Sequence, residues 1–298
     1  MKPLTPKARR PKRAGSVDGI DMQRYEAPAP AGASRCAGTI AICTRDNVSA
    51  ATAISLMMMQ RDKSLTLQPG EFIKTYIVVG NVLTYQRNQC VRDFEGDWLL
   101  FIDADMTWQA QDVQTLIETR EKWDLDMVGG LCFQRSEPYQ PTLYMRSPDD
   151  PDAYTFLETW PEDSALEVDA TGMAFCLIHK RVFDRITQQQ GGFEFPDFEE
   201  RQQYNPIAFF RWEDRWGEDF RFCREAKASG SRIFVDTSVK PGHVGAQLIT
   251  ERSFWTNIAH RDPMSQEFRE KVLESIDQQA LTRDEAIKRL EPWHDADT

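Results

Sequence analysis

The sequence predicts an α/β protein: a mixed, mostly parallel central sheet flanked by helices, with a helical extension at its C-terminal end. Three observations predict it. Residues 98–102, W-L-L-F-I, are an unbroken apolar run, the pattern of a strand buried on both faces. Strand-like runs alternate with helix-like segments along the following chain, as in sheets covered by helices. The first such unit, residues 38–60, has the strand–loop–helix order of a nucleotide-binding α/β half.

Taken in order, residues 1–34 are rich in Pro, Ala, Gly and basic side chains and are expected to be disordered or loosely attached. Ordered structure is expected from 35 to 262, opening with G-T-I-A-I-C-T at 38–44. Arg45, Asp46 and Asn47 form the exit loop, and Asn47 is positioned to cap a helix over 48–60. Residues 72–79 read as a second strand and 83–94 as a helix carrying Arg87 and Asn88. The strand at 98–102 follows, then a helix over about 111–122 and a strand over 126–133. Residues 135–161, rich in proline and aspartate, read as excursion loops or a hairpin. Residues 167–178 suggest strand–loop–strand with Gly172 at the bend, followed by a short helix over 181–190. The aromatic stretch 191–211 is a long loop of the functional or mobile kind. Residues 212–230 contain an acid-led helix that Gly230 closes, 231–236 a strand, and P-G-H-V-G at 241–245 a turn. Periodic apolar residues beyond Pro263 predict two surface helices, a separate extension over 263–298.

Composition narrows the functions. At 298 residues with 41% hydrophobic and 28% charged side chains, the chain can bury a full-sized core. A formal net charge of −11 argues against broad binding of nucleic acid or anionic membrane by the folded body, although residues 1–17 carry six basic side chains and no acid. The chain has no apolar stretch of signal-peptide or membrane-span length, and six cysteines form no C-x-x-C pair. A soluble cytoplasmic protein with reduced thiols is the expectation. Neither G-x-G-x-x-G nor a Walker A lysine is present, which disfavours dinucleotide and P-loop chemistry.

Chemistry concentrates at D-A-D, residues 103–105. Strand side chains alternate, so residues two apart, with Cα atoms roughly 6–7 Å apart, point to one side. Two carboxylates would therefore emerge together at the carboxyl end of a central strand, where open α/β sheets place ligands. A hard divalent cation, Mg²⁺ or Mn²⁺, relieves their repulsion and is usually shared with substrate phosphates. Far downstream, His243 lies between glycines, and Glu218-Asp219 stands at a helix start. A neutral imidazole is a common transition-metal ligand, whereas acids at a helix start by themselves merely suit its dipole.

In order, the segments T-I-A-I-C-T-R-D, Q-R-N, L-L-F-I-D-A-D-M, A-T-G-M-A-F-C-L-I, W-G-E-D-F-R-F-C and G-H-V-G resemble GT-A fold glycosyltransferases, particularly the family-two-like group common in bacteria and phages. The resemblance spans roughly residues 38–245. The W-G-E-D…G-H tail is also similar to that of polypeptide N-acetylgalactosaminyltransferases and β-1,4-galactosyltransferases. It implies hexosyl transfer from a nucleotide-sugar donor (UDP- or GDP-linked), with Mn²⁺ or Mg²⁺ bridging the two phosphates. By that resemblance Asp105 and His243 are metal ligands, and Asp103 contacts the ribose or shares the metal. Thr44, Arg45 and Asp46 hold base and ribose, Ala104 lies on the donor, and Arg87 faces the diphosphate. Gly172 leaves room for donor sugar or acceptor. Asp219 matches the general base of inverting members, with Glu218 the rival for that role.

Three other readings compete. A sugar-nucleotide pyrophosphorylase would carry a glycine-rich phosphate loop where Thr44-Arg45-Asp46-Asn47 stands. A non-catalytic carbohydrate- or protein-binding module would not need Asp103, Asp105, Asp219 and His243 intact. A transferase acting on modified bases in DNA is the third, suggested by the basic amino-terminal segment. The acidic body favours a soluble acceptor such as a protein, with nucleic acid the alternative.

Overall fold

The computed structural model describes residues 23–62, 64–147, 150, 153–190, 208–212, 217–245, 248–251 and 253–254. In chain order the strands are β1 (Gln23–Glu26), β2 (Arg35–Thr44), β3 (Glu71–Val79), β4 (Trp98–Asp103), β5 (Met106–Thr107), β6 (Met127–Gly130), β7 (Tyr144–Arg146), β8 (Tyr154–Phe156), β9 (Ala165–Val168), β10 (Phe175–His179), β11 (Ile233–Asp236), β12 (Gly242–Val244) and β13 (Leu248–Ile249). The helices are α1 (Ala50–Met59), α2 (Leu83–Asp93), α3 (Ala110–Trp123), α4 (Lys180–Gln189) and α5 (Glu218–Ala228).

Eight strands form the central sheet in the order β1-β3-β2-β4-β10-β6-β11-β9. β3, β2 and β4 run parallel, as do β6 and β11, while β10 lies antiparallel between β4 and β6. This mixed sheet flanked by helices is the α/β architecture expected and is consistent with the GT-A fold. The core forms two apolar layers, one on each face. Ile40 and Ile42 of β2 and Leu100 and Ile102 of β4 pack with Val113, Leu116 and Ile117 of α3. The alternate residues Ala41, Cys43, Leu99 and Phe101 pack with Cys90 and Val91 of α2, Val182 and Phe183 of α4, and Phe222 of α5. The continuous apolar runs of β2 and β4 are thus explained: both faces of each strand are covered.

Where β2 meets β4, Gly38 is paired with Trp98, and a Cβ on Gly38 would sit 2.1 Å from the indole. The glycine lets the ring lie flat on the neighbouring strand.

Three elements differ from expectation. Within the segment read as a loose tail, Gln23–Glu26 forms an edge strand paired antiparallel with β3; residues 1–22 lie outside the described residues. Its backbone ladder, and the Arg24–Asp93 ion pair at 2.7 Å, hold it without an apolar face. The expected turn at 241–245 contains β12, which joins β5 and β13 in a three-stranded sheet. Strand β2 begins at Arg35, three residues before the strand expected over 38–44. The hairpin alternative for 135–161 is met by β7 pairing β8, and Gly230 has a φ of +83°, the left-handed stop expected after α5. The proposed helices over 263–298 and most of the aromatic stretch 191–211 lie outside the described residues. Among the described residues no helix is long and apolar enough to cross a membrane.

Candidate active site

Successive side chains leave a helix about 100° apart, so three neighbours on α2 can reach three different parts of the protein. Gln86 Nε2 donates to the carbonyls of Thr44 at 2.6 Å and Val78 at 2.7 Å, joining the ends of β2 and β3. Arg87 donates from Nη1 to Glu218 Oε1 at 2.6 Å and from Nη2 to Asp103 Oδ1 at 3.2 Å. Asn88 Nδ2 donates to the Phe210 carbonyl at 2.7 Å, and its Oδ1 accepts from the Phe210 N–H at 3.0 Å.

Arg87 is buried, with the rings of Phe101 and Phe210 5.9 and 5.7 Å from its guanidinium carbon. Burial works against its charge, yet Asp103 and Glu218 outweigh that and raise its pKa. Arg87, expected to face a diphosphate, has both terminal nitrogens engaged by carboxylates under two aromatic rings. Arg87 acts on the site through Asp103 and Glu218.

At the carboxyl ends of β2 and β4 lies a pocket of about 420 Å³ lined by Thr44, Arg45, Asp103, Ala104 and Asp105, with Val48 and Leu83 among its apolar walls. Thr44 is buried, and its hydroxyl donates to the Asn47 carbonyl at 2.6 Å, closing the exit loop. The Arg45 and Asp46 side chains are exposed at the rim. Ser49 caps α1, and the Ser49 N–H and Thr52 hydroxyl donate to the Ala104 carbonyl, fixing the backbone between the two aspartates.

Asp103 and Asp105 border this pocket together but hold different partners. β4 ends at Asp103 and the chain turns through Ala104 and Asp105, so strand alternation no longer aligns the carboxylates. Asp103 faces Arg87. Asp105 Oδ2 accepts from Arg135 Nη1 at 2.7 Å, and its Oδ1 lies 3.3 Å from His243 Nε2. His243 reaches it because β12 pairs with β5, which sets His243 opposite Met106. His243 Nδ1 donates to the Phe133 carbonyl at 2.8 Å. Burial disfavours charge on His243, but Asp105 and the Phe133 carbonyl outweigh it and raise its pKa. Burial would likewise lift Asp105, yet the contacts with His243 and Arg135 bring it below the usual carboxylate range.

Among the described residues no group of three or more His, Cys, Asp or Glu side chains is gathered to hold a metal alone. The donor set nevertheless fits a shared cation. One carboxylate and one imidazole converge, the other imidazole nitrogen is committed to a carbonyl as in metal-ligating histidines, and phosphates commonly complete such shells.

Glu218 and Asp219 open α5 after Gly217, and their environments diverge. Glu218 is buried on Arg87. Asp219 Oδ1 accepts the Phe220 N–H at 2.8 Å, and Oδ2 lies 3.9 Å from where a Cβ on Gly172 would be. Burial pushes Asp219 up to about 6, with Arg87 pulling it down and Glu218 pushing it further up. A carboxyl of that pKa is suited to proton transfer near neutral pH. Glu218, the rival base, is buried, and its Oε1 is held by Arg87 Nη1.

The stretch from just before β3 into α4 carries a likeness to a known family. Residues 70–186 match the model of Glycosyl transferase family 2. The matched segment includes Arg87, Asp103, Ala104, Asp105 and Gly172; Thr44, Arg45, Asp46, Glu218, Asp219 and His243 lie outside it. The match supports glycosyl transfer as the chemistry of this chain and implies a nucleotide-sugar donor and an acceptor. No curated protein matches the chain. Among solved structures, A197 from STIV is similar at 17% identity and a TM-score of 0.40, over 70% of this chain and 85% of that one. S. aureus TarS 1–349 is similar at 12% identity and a TM-score of 0.36, over 66% of this chain and 57% of that one.

Sequence reasoning missed two contributors. Arg135, the second partner of Asp105, sits in a segment read as excursion loop; its only signal is a basic residue just past an apolar run. Phe210, which covers Arg87, was one aromatic among many in a helix-poor stretch.

Proposed function

We propose that the chain transfers a sugar from a nucleoside-diphosphate donor, UDP- or GDP-linked, to a hydroxyl of an acceptor, with a divalent cation as cofactor. The observation that carries this reading is the pocket at the ends of β2 and β4, which gathers Thr44, Arg45, Asp103, Ala104 and Asp105. Base and ribose lie against the loop at Thr44–Asp46, and the diphosphate lies toward Asp105. Asp105 and His243 would hold Mn²⁺ or Mg²⁺, with Asp103 close by on Arg87. The bound cation supplies positive charge against the departing diphosphate.

Asp219 is the general base in this reading. It takes the acceptor hydroxyl proton as the oxygen attacks the anomeric carbon from the face opposite the diphosphate, a contribution of about 10²–10⁴-fold. Glu218 and Arg87 are positioning residues: their ion pair fixes the start of α5 and so the place of Asp219. Gly172 keeps space beside the carboxylate. A cytoplasmic setting belongs to the same reading, because all six cysteines carry free thiols.

The test is incubation with a panel of nucleotide sugars and Mn²⁺, reading nucleoside diphosphate release and the anomeric configuration of the product. Release with one or two donors and an inverted product is expected. Release with none sinks the reading, and a retained product removes Asp219 as base.

A further inference from the structure

Residues 209–212 read F-F-R-W. Phe209 and Phe210 are 2% and 1% exposed, whereas Trp212 is 65% exposed, the highest among the large hydrophobic side chains of the described residues. Phe210, two residues before it, is firmly held. Asn88 clamps the Phe210 backbone through both its N–H and its carbonyl, and the Phe210 ring stacks on Phe222 of α5 with centroids 4.6 Å apart and planes 16° apart. α5 also carries Asp219, so Phe210, two residues before Trp212, is packed against the helix that bears the carboxylate.

Between them stands Gly217. A Cβ there would lie 2.9 Å from Asp219 Oδ1 and 3.9 Å from Trp212 Cζ3. On the other side of the carboxylate, a Cβ on Gly172 would lie 3.9 Å from Oδ2 and 3.4 Å from Thr142 Cγ2. Each oxygen of Asp219 therefore borders a place where the chain carries no side chain, and the indole borders one of them. Oδ1 is committed to the Phe220 N–H, which leaves Oδ2 for a proton.

We infer that Trp212 is the floor of an acceptor subsite for a carbohydrate ring. This rests on Asp219 being the base. The C–H bonds on one face of a pyranose are polarised by the ring oxygens, and the indole face carries the negative side of its quadrupole, so the two faces attract. The hydroxyls lie on the rim of such a ring, where one of them can meet Asp219 Oδ2 while the ring lies over Gly217. The acceptor oxygen then forms its bond to the anomeric carbon. The bond to the diphosphate breaks with its electron pair leaving on the diphosphate, and the hydroxyl proton passes to Oδ2. A serine or threonine side chain has no flat C–H face to lay on an indole. A nucleobase does stack, but its phosphate backbone is opposed by a net charge of −11.

Saturation-transfer NMR on the full chain tests this, using methyl β-glycosides of glucose, galactose and N-acetylglucosamine, with a Ser/Thr peptide as comparison. Saturation of the ring C–H protons of at least one glycoside is expected. Trp212→Ala should weaken its binding about tenfold or more, and Trp212→Phe should restore part of it. In turnover the acceptor KM should rise while the donor KM holds. Circular dichroism checks that both variants are folded, as an exposed side chain predicts. Equal glycoside binding by wild type and Trp212→Ala overturns the inference, and so does binding of the peptide with none of the glycosides. Diphosphate release without acceptor reports on the donor separately. Its absence alongside Trp212-dependent glycoside binding would remove the donor reading and leave the subsite standing.

Discussion

Arg87 on α2 donates to Glu218 on α5 at 2.6 Å across 131 residues of chain, and both side chains are buried. Removing one member leaves the other charged without its partner in a low-dielectric setting. Arg87→Met should therefore cost about 3–5 kcal/mol of folding stability, measured by urea denaturation. The double variant Arg87→Met/Glu218→Gln should be less destabilised than the sum of the single changes, because it removes both charges. Additive losses would show that the pair is not coupled.

The Asp219 carboxyl, raised to about 6, sets a pH dependence of activity. A base must be unprotonated, so kcat/KM for transfer should fall as pH drops through about 6, and Asp219→Asn should lower turnover by about 10²–10⁴-fold. Stability moves the opposite way. A carboxyl whose folded pKa lies above its unfolded value favours folding below the unfolded pKa, near 4, and that contribution is lost as pH rises through about 6. Asp219→Asn should thus be more stable than wild type at pH 8, by a margin that shrinks toward pH 4. Thermal melts across that range check the sign.

Gly217 and Gly172 flank the same carboxylate at different closeness. An alanine methyl at 217 would fall 2.9 Å from Asp219 Oδ1, inside contact distance, whereas at 172 its nearest neighbour is 3.4 Å away. Gly217→Ala must displace the carboxylate by a few tenths of an ångström, so turnover should fall, by less than the about 10²-fold that a misplacement of about 1 Å costs. Donor affinity should hold, as measured by calorimetry. Gly172→Ala should cost less, unless a bound sugar fills that space.

The Asp105–His243 contact gives a prediction about metal. Turnover should stop in chelator and return with Mn²⁺, better than with Mg²⁺, since one ligand is nitrogen. Asp105→Ala and His243→Ala should each weaken Mn²⁺-dependent binding of the nucleoside diphosphate in calorimetry while the folded spectrum is kept. Full turnover in chelator would remove the cation from the scheme.

Much of the site was legible because its residues sit at element ends, where composition changes abruptly. The switch from L-L-F-I to D-A-D marks the carboxyl end of β4, and W-G-E-D marks the start of α5. Direction and pairing were not legible. The apolar run of β10 reads the same whichever way the strand points, and its antiparallel place between β4 and β6 depends on the chain that follows β9. The edge strand β1 has no apolar face to announce it, since it is held by backbone bonds and ion pairs. The parting of Asp103 from Asp105 came from a turn that begins one residue earlier than strand alternation assumes. Arg87 was identified by position, but its burial depends on Phe210, which lies 123 positions away.

The sequence Gln86-Arg87-Asn88 has an architectural consequence. Three anchors leave less than one turn of a single helix and tie down the strand ends, the acid-bearing helix and the loop that presents Trp212. The hub adds to the β2–β3 ladder and to the stack of Phe210 on Phe222, so a change in that one turn would be felt by all three parts together. Arg45, Asp46 and Trp212 stand outside it, and their exposed side chains can be exchanged without touching the hub.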